Sequence, residues 1–416
     1  MIRVVIVDDS SFMRKVLFDL FAKAPDFEVA GTAANGQEAY DLVIKHKPDL
    51  VTMDVNMPVM DGLKSLEKIM QDCPTPVLMF SSLTKKDADE TIKALSLGAV
   101  DFMCKAGGSI SKIDDIADEI LEKGRHVAKA NVKKFIINNN ILEKKQEAGN
   151  LKRINILEKK GYNISGSQSR ASTSLIDRIR GTKPTVEVVP PASARLQHKG
   201  IADKFAKREN PYLKMREAKV RVSSGLSKDK LVVLGTSTGG PKALQYVVPK
   251  LPADMPCGMV IVQHMPAGFT KSLADRLDYV SQVKVKEAED GEPILPGYVY
   301  IAPGDYHLEI TGSGSQRVIS LNQSPPLAAH RPAVDIMFDS VVKYGADVVS
   351  VILTGMGCDG AAGMKKIKQA GGYIIAEAEE TCVVYGMPKA VVDAGIADEI
   401  LPVQQVADAI VNAVGK

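Results

Sequence analysis

IRVVIVDDS, residues 2–10, decides the fold. Its apolar run shows no alternation and reads as a strand buried on both faces, ended by two acids. Ser10 then reads as a helix N-cap, followed by Phe12, Val16, Leu17, Leu20 and Phe21 at helical spacing. Outward from there the pattern repeats. A strand is expected near 28–31, a helix over about 35–47, the strand DLVTMD (49–54), and a helix from about Asp61. The strand VLMF (77–80), a helix near 85–97, the strand VDFMC (100–104) and a last helix beyond Ser109 complete the set. Strands alternating with helices in this way imply a parallel sheet with helices on both faces.

A second α/β pattern begins at Lys230. LVVLG (231–235) runs into TSTGGPKAL, which opens a helix, and MVIVQ (259–263) ends at His264. YVYIAPG (298–304) reads as strand and turn, VVSVILT (348–354) ends in GMGCDGAAG, and YIIAE (373–377) is a further strand. This predicts a second doubly wound domain with a β segment interrupting it. The stretch between holds an Asn run (138–140), ILEKK twice (141–145 and 156–160), the Ser-rich GSQSRASTS, and Pro190–Pro191. The net charge of +3 divides into about −7 over residues 1–120, about +16 over 121–230 and about −6 over 231–416. The expected organisation is a first domain over 1–125, a basic low-complexity linker over 126–228 and a second domain over 229–416. The linker would carry transient helix in its first half. A tail binding receptor, membrane or nucleic acid is the alternative reading of that basic stretch.

Hydrophobic residues at 45% and charged residues at 25% are ordinary for a soluble globular chain of 416 residues. The five cysteines, Cys73, Cys104, Cys257, Cys358 and Cys382, are odd in number and lack CxxC spacing. They argue against a disulfide framework or a zinc site. MIRVVIVDDS has neither a basic n-region nor a small-residue cleavage site, so no signal peptide is expected, and no apolar run approaches the roughly 18–20 residues that span a bilayer. A reducing, cytoplasmic location is expected.

Polar residues fall where the first five strands end: Asp8 and Asp9, Asp54, Ser81 and Lys105. Ligands bind beyond the carboxyl ends of such sheets. Gathered carboxylates repel one another, so a hard divalent cation, magnesium, is expected among them. One carboxylate could then act as nucleophile toward a phosphoryl group, with Lys105 pairing the added charge and Ser81 bonding a phosphoryl oxygen. VVIVDDS, VTMDVNMPVMDG, FSSL and DFMCK resemble the response-regulator receiver family over residues 1–125. The resemblance implies a flavodoxin-like fold, phosphorylation at Asp54, Mg2+ held by Asp8, Asp9 and Asp54, and a switch formed by Ser81, Phe102 and Lys105. Receivers usually carry proline after that lysine. Ala106 stands here, and a cis bond to alanine costs about 2.5–4 kcal/mol, so a trans bond is expected.

In the second domain, residues 235–239 (GTSTG) fit G-x-S-x-G between strand and helix. The glycines permit a sharp turn that lifts Ser237 out, Pro241 suits the first helical turn, and amides at the helix start could face an oxyanion. Alone the motif equally suits an anion-binding turn, and a lone histidine is more often structural. His264 and Asp359, however, also end or follow strands, and hydroxyl, imidazole and carboxylate together make an activated nucleophile. Their order along the chain, Ser…His…Asp, differs from that of α/β-hydrolases. A metal site from Cys257, His264 and Cys358 lacks the usual ligand spacing. Arg331, in HRP (330–332), reads either as a contact for an acidic surface or as a structural ion pair.

GTSTGG, VQHMPAGFT, EAEDGEPILPGYVYIAPGDYH, HRPAVDIMF and TGMGCDGAAGM resemble the catalytic domain of the chemotaxis protein-glutamate methylesterase family over 230–415. The resemblance implies a Rossmann-like esterase with the triad Ser237–His264–Asp359, and Thr238 and Met356 near the oxyanion. It also implies hydrolysis of glutamate γ-methyl esters on methyl-accepting chemoreceptors, with glutamine deamidation and no esterase cofactor. A chemotaxis histidine kinase would be the phosphoryl donor, and the chain would act as a monomer. Two other readings compete: a receiver joined to an anion-binding module, and a response regulator with a nucleic-acid-binding output. The acidic second domain and the lack of a basic helix-turn-helix pattern disfavour the last.

Overall fold

The structure is a computed structural model that describes residues 1–82, 84–105, 111–130, 132, 230–314 and 316–415. The linker over 126–228 and Ala106 fall largely or wholly outside these residues, as do the expectations made for them.

The first domain is a five-stranded parallel sheet, β1 (Ile2–Val7), β2 (Phe27–Ala33), β3 (Leu50–Asp54), β4 (Val77–Ser81) and β5 (Asp101–Cys104), in the order β2-β1-β3-β4-β5. Five helices alternate with the strands: α1 (Ser11–Lys23), α2 (Gly36–His46), α3 (Gly62–Asp72), α4 (Lys85–Leu97) and α5 (Ser111–Ala128). Ser10 caps α1, its Oγ accepting from the Met13 amide. Val4–Val7 and Leu50–Met53 are sealed from water, the mark of a sheet covered on both faces. The last helix runs past the expected boundary at 125, because Val127 and the following Ala130 and Val132 bury apolar surface on the core.

The second domain is a seven-stranded parallel sheet. Its strands are β6 (Leu231–Thr236), β7 (Met259–Gln263), β8 (Lys284–Glu287), β9 (Tyr298–Ile301), β12 (Val348–Ile352), β13 (Tyr373–Glu377) and β14 (Glu399–Leu401), ordered β14-β13-β12-β6-β7-β9-β8. The interrupting segment is an antiparallel hairpin, β10 (His307–Ser313) with β11 (Gln316–Asn322). Helices α6 (Gly240–Val247), α7 (Phe269–Val280), α8 (Val334–Val341), α9 (Ala361–Gln369), α10 (Met387–Asp393) and α11 (Val403–Val414) pack around it. Among the described residues, no helix is long and apolar enough to cross a membrane.

The two domains belong to one compact unit. Helix α4 faces α6 and α7: Ser272 Oγ donates to Asp89 Oδ1 at 2.6 Å, and Gln245 Nε2 to Ser96 Oγ at 3.0 Å. Phe102 of β5 stacks on Phe269 of α7, with ring centroids 4.7 Å apart and planes 17° from parallel. A continuous apolar cluster therefore includes Ile92, Leu95 and Phe102 from one domain and Phe269, Leu273 and Leu277 from the other.

Gly62 starts α3 directly against β3: a Cβ there would lie 2.1 Å from the Asp54 carbonyl oxygen. Gly62→Ala must push the helix off the strand end that carries Asp54. Its expected cost is about 1–3 kcal/mol, read as a lower midpoint of the first urea transition of the full chain.

Candidate phospho-acceptor and active sites

In the first domain the parallel register delivers Asp8 and Asp9 from the end of β1 and Asp54 from the end of β3. One ligand oxygen from each lies within 4.8 Å of the others. Lys105, just past β5, places its Nζ 2.8 Å from Asp54 Oδ2 and 2.9 Å from Asp8 Oδ2. Burial raises the Asp54 carboxyl above the usual range; Lys105 opposes this, while Asp8 and Asp9 add to it. Burial alone would lower Lys105, but its two carboxylate partners win and raise it.

The residues fit a hard divalent ion. They are all-oxygen donors, and Asp8 Oδ2 is sealed from solvent with no partner of hydrogen-bond geometry, only the lysine charge beside it. Of the expected switch residues, Lys105 stands in this cluster. Ser81 is turned away, its Oγ accepting from Thr91 Oγ1 at 2.7 Å, and Phe102 is buried against Phe269.

In the second domain Ser237 and His264 follow β6 and β7, which pair directly up to Thr236 and Gln263. The His264 amide donates to the Thr236 carbonyl at 3.1 Å, so both residues leave the sheet side by side. Ser237 is held by its own amide, which donates to the Thr354 carbonyl at 3.1 Å, beyond the end of β12. Gln263 Nε2 clamps the turn from the other side, donating to the Ser237 carbonyl at 3.0 Å. Gly239 has φ +80°, and a Cβ there would lie 2.5 Å from Val383, so glycine is required on both counts.

His264 and Asp359 meet: Nε2 to Oδ2 is 2.8 Å. Asp359 also caps α8, accepting from the Val334 amide at 2.7 Å and the Asp335 amide at 2.9 Å. Burial pushes its carboxyl upward, but the His264 ring and these two amides outweigh burial and hold it below the usual range. With Nε2 committed to Asp359, His264 Nδ1 is left buried without a hydrogen-bond partner. Burial is the main force lowering His264; Asp359 opposes it, and His330 and Lys123 add to it. The Ser237 side chain makes no hydrogen bond among the described residues. Thr238 is buried, and neither its amide nor that of Met356 donates a hydrogen bond among them, whereas the Gly240 amide is taken by the Ser237 carbonyl at 2.8 Å.

Three features were not foreseen. The His330 ring lies against His264, centroids 3.9 Å apart and planes tilted by 46°, held by the turn in which Leu327 and His330 exchange backbone bonds. Only the HRP triplet marked that position. Gln263 is a clamp hidden in an apolar strand. Thr354 joins the ends of three strands, and a threonine there carries no signal of such a role. Arg331 makes the structural ion pair of its two readings: Nη2 lies 2.5 Å from Asp305 Oδ1, and Nη1 donates to the carbonyls of Gln323 and Ser324. Cys358 is exposed beside Asp359. The Asp8–Asp9–Asp54 group is the candidate metal cluster among the described residues.

The pH dependence follows from His264. A histidine lowered in the folded state binds fewer protons than in the unfolded chain. Its share of stability is thus full above the ordinary value of about 6.5 and is lost as pH falls through the window below it. The acid limb of any activity using this imidazole is expected in that same window. His330→Gln, removing one depressing charge, should move the limb upward by a few tenths of a pH unit, measured from rate–pH profiles. A limb that moves down, or stays, contradicts the assignment.

The chain matches two family models. The CheB methylesterase model covers residues 232–410, and the response regulator receiver domain model covers residues 4–116. A protein-glutamate methylesterase/protein-glutamine glutaminase of Symbiobacterium thermophilum is 42% identical over 417 residues, spanning 100% of this chain and 98% of that one. Its namesake in Archaeoglobus fulgidus is 40% identical, spanning 99% and 97%. The crystal structure of the Thermotoga maritima CheB methylesterase catalytic domain is 49% identical and covers 44% of this chain and 97% of that one, with a TM-score of 0.43. Similarity along the whole length, with both domains in the same order, places this chain in the protein-glutamate methylesterase/protein-glutamine glutaminase family.

Proposed function

We propose that this chain hydrolyses glutamate γ-methyl esters on methyl-accepting chemoreceptors, with deamidation of glutamines at the same site, under the control of phosphorylation at Asp54. The observation that carries this reading is the His264–Asp359 bond, which leaves a buried, unpartnered imidazole nitrogen beside the Ser237 turn.

Ser237 Oγ attacks the ester carbonyl carbon as its proton passes to His264 Nδ1. Asp359 stabilises the imidazolium, and its two amide bonds keep it from rotating away. The oxyanion sits against the free amides of Thr238 and Met356. Collapse breaks the C–O bond, the departing oxygen takes the proton from Nδ1, and methanol leaves. Water then repeats the sequence on the glutamyl ester, freeing the carboxylate and Ser237. With a glutamine side chain the leaving group is ammonia.

On the receiver side, Asp54 accepts a phosphoryl group from a chemotaxis histidine kinase, and Lys105 pairs with the added charge. Asp8, Asp9 and Asp54 would hold magnesium, which neutralises phosphoryl oxygens when bound. The unphosphorylated receiver restrains the esterase through the α4–α7 face. One contact brings it close to the chemistry: Val383, above Gly239, packs against the receiver's own core. Phosphorylation would reposition Lys105 and Ser81, unsettle Phe102 on Phe269 and release the face. The chain would act in the cytoplasm as a monomer.

Methanol release from methylated receptor, assayed with the full chain, tests the chemistry: Ser237→Ala should lower kcat by about 10⁴-fold or more. Undiminished release would sink the esterase reading and favour an anion-binding module. A small phosphate donor should stimulate release, and either Asp54→Asn or chelation of divalent cations should abolish that stimulation without changing the basal rate. Asp89→Ala removes the Ser272 bond and should raise the unphosphorylated rate by about two- to tenfold; an unchanged rate argues against restraint through this face.

A further inference from the structure

Glu377 ends β13 and is wholly buried, yet the chemistry above does not use it. Its Oε2 accepts from the Thr354 amide at 2.8 Å and its Oε1 from Thr381 Oγ1 at 2.9 Å. Thr354 is the residue on which the nucleophile turn hangs. Its carbonyl accepts from the Ser237 amide at 3.1 Å and from Thr236 Oγ1 at 2.8 Å. Its hydroxyl donates to the Thr238 carbonyl at 3.0 Å and accepts from the Val384 amide at 3.0 Å. Thr381, the other partner of Glu377, roots the loop that lays Val383 over Gly239 and is itself held by the Val403 amide at 3.0 Å.

Resting on the reading of Ser237 as nucleophile, we infer that Glu377 is a positioning residue for that serine, acting through Thr354 and, on the opposite side of the turn, through the Thr381–Val384 loop. An apolar side chain would leave the Thr354 amide buried and unpaired, and the strand end would drift. A carboxyl also makes the hold titratable. Burial raises Glu377 to about 7, with the Thr354 amide and the Thr381 hydroxyl opposing. The titratable group facing it is the Cys382 thiol on the same loop, raised by its own burial; the turn beyond β12 contributes the uncharged Thr354, and the loop itself contributes Thr381. Below about 7 the bond to the Thr354 amide is a neutral one; above it the bond becomes charge-assisted and tighter. The nucleophile is therefore held best on the alkaline side.

The test is the rate of Ser237 labelling by a fluorophosphonate across pH 5–9 on the full chain, with KM and kcat for methylated receptor alongside. Wild type should show a second, two- to fivefold rise near pH 7, absent from Glu377→Gln. Glu377→Leu should label at least tenfold more slowly, lowering kcat while KM stays within twofold. Thr381→Val, which removes a bond favouring the ionised form, should move the second rise to higher pH; it decides the matter if Glu377→Leu does not fold. A Glu377→Gln profile superimposable on wild type, a Thr381→Val profile unmoved, or Glu377→Leu labelling at the wild-type rate overturns the inference while Ser237→Ala still abolishes labelling. Labelling that persists in Ser237→Ala would instead remove the nucleophile itself, and the inference with it.

Discussion

Strands that run the same way must stop at the same edge, and both sites depend on that constraint. In the second domain Gly235 pairs with Val262 on one side and Ile352 on the other, so β6, β7 and β12 end level. Ser237 and His264 are the first residues past their strands, and the glycine-rich loop leaving β12 brings the Asp359 carboxylate back to the imidazole. Val7 opposite Met53 does the same for Asp8 and Asp54, and Ser81 opposite Cys104 sets Lys105 on the same rim. Neighbouring strands lie about 4.8 Å apart, which is about the span of a side-chain hydrogen bond plus its bonded atoms. The sheet is thus the ruler, and the loops are its pointers.

Burial makes this placement costly as well as sharp. Asp8, Asp54, Asp359 and Glu377 each lose most of their water, and each is offset differently. Lysine answers the two receiver acids, two helix-start amides and an imidazole answer Asp359, and only uncharged donors answer Glu377. Those partners sort the acids by charge state: Asp359 is kept ionised, while Glu377 is left near its balance point. The same logic leaves His264 neutral and able to accept a proton, because its surroundings tolerate the ring better than the cation.

Much of this was legible in the sequence. Unbroken apolar runs ending in acids announced the buried strands and the edge at which ligands gather, and Ser10 stood where a cap was required. The short sheet strands β8 (KVKE) and β14 (EIL) were not legible, since edge strands bury too little to enforce a pattern. An interrupting β segment was expected, but that it is an antiparallel hairpin of HLEITGS with QRVISLN is shown only by their pairing. Residue types signalled Ser237, His264 and Asp359. They could not signal Thr354, Gln263 or His330, whose importance lies in what they touch across the fold. The inward turn of Ser81 toward Thr91 was beyond reach for the same reason: a rotamer is chosen by neighbours, not by its own letter.

Under the restraint proposed above, the ring of Phe102 lying on Phe269 also sets a scale for regulation. An aromatic pair contributes about 0.5–1.5 kcal/mol beyond the area it covers. Loosening that pair alone would therefore change the open population by only about two- to twelvefold. A device built this way has a modest dynamic range and a resting output well above zero. Such a setting suits a signal that must trim a steady state in both directions more than one that turns an enzyme from silence to full speed.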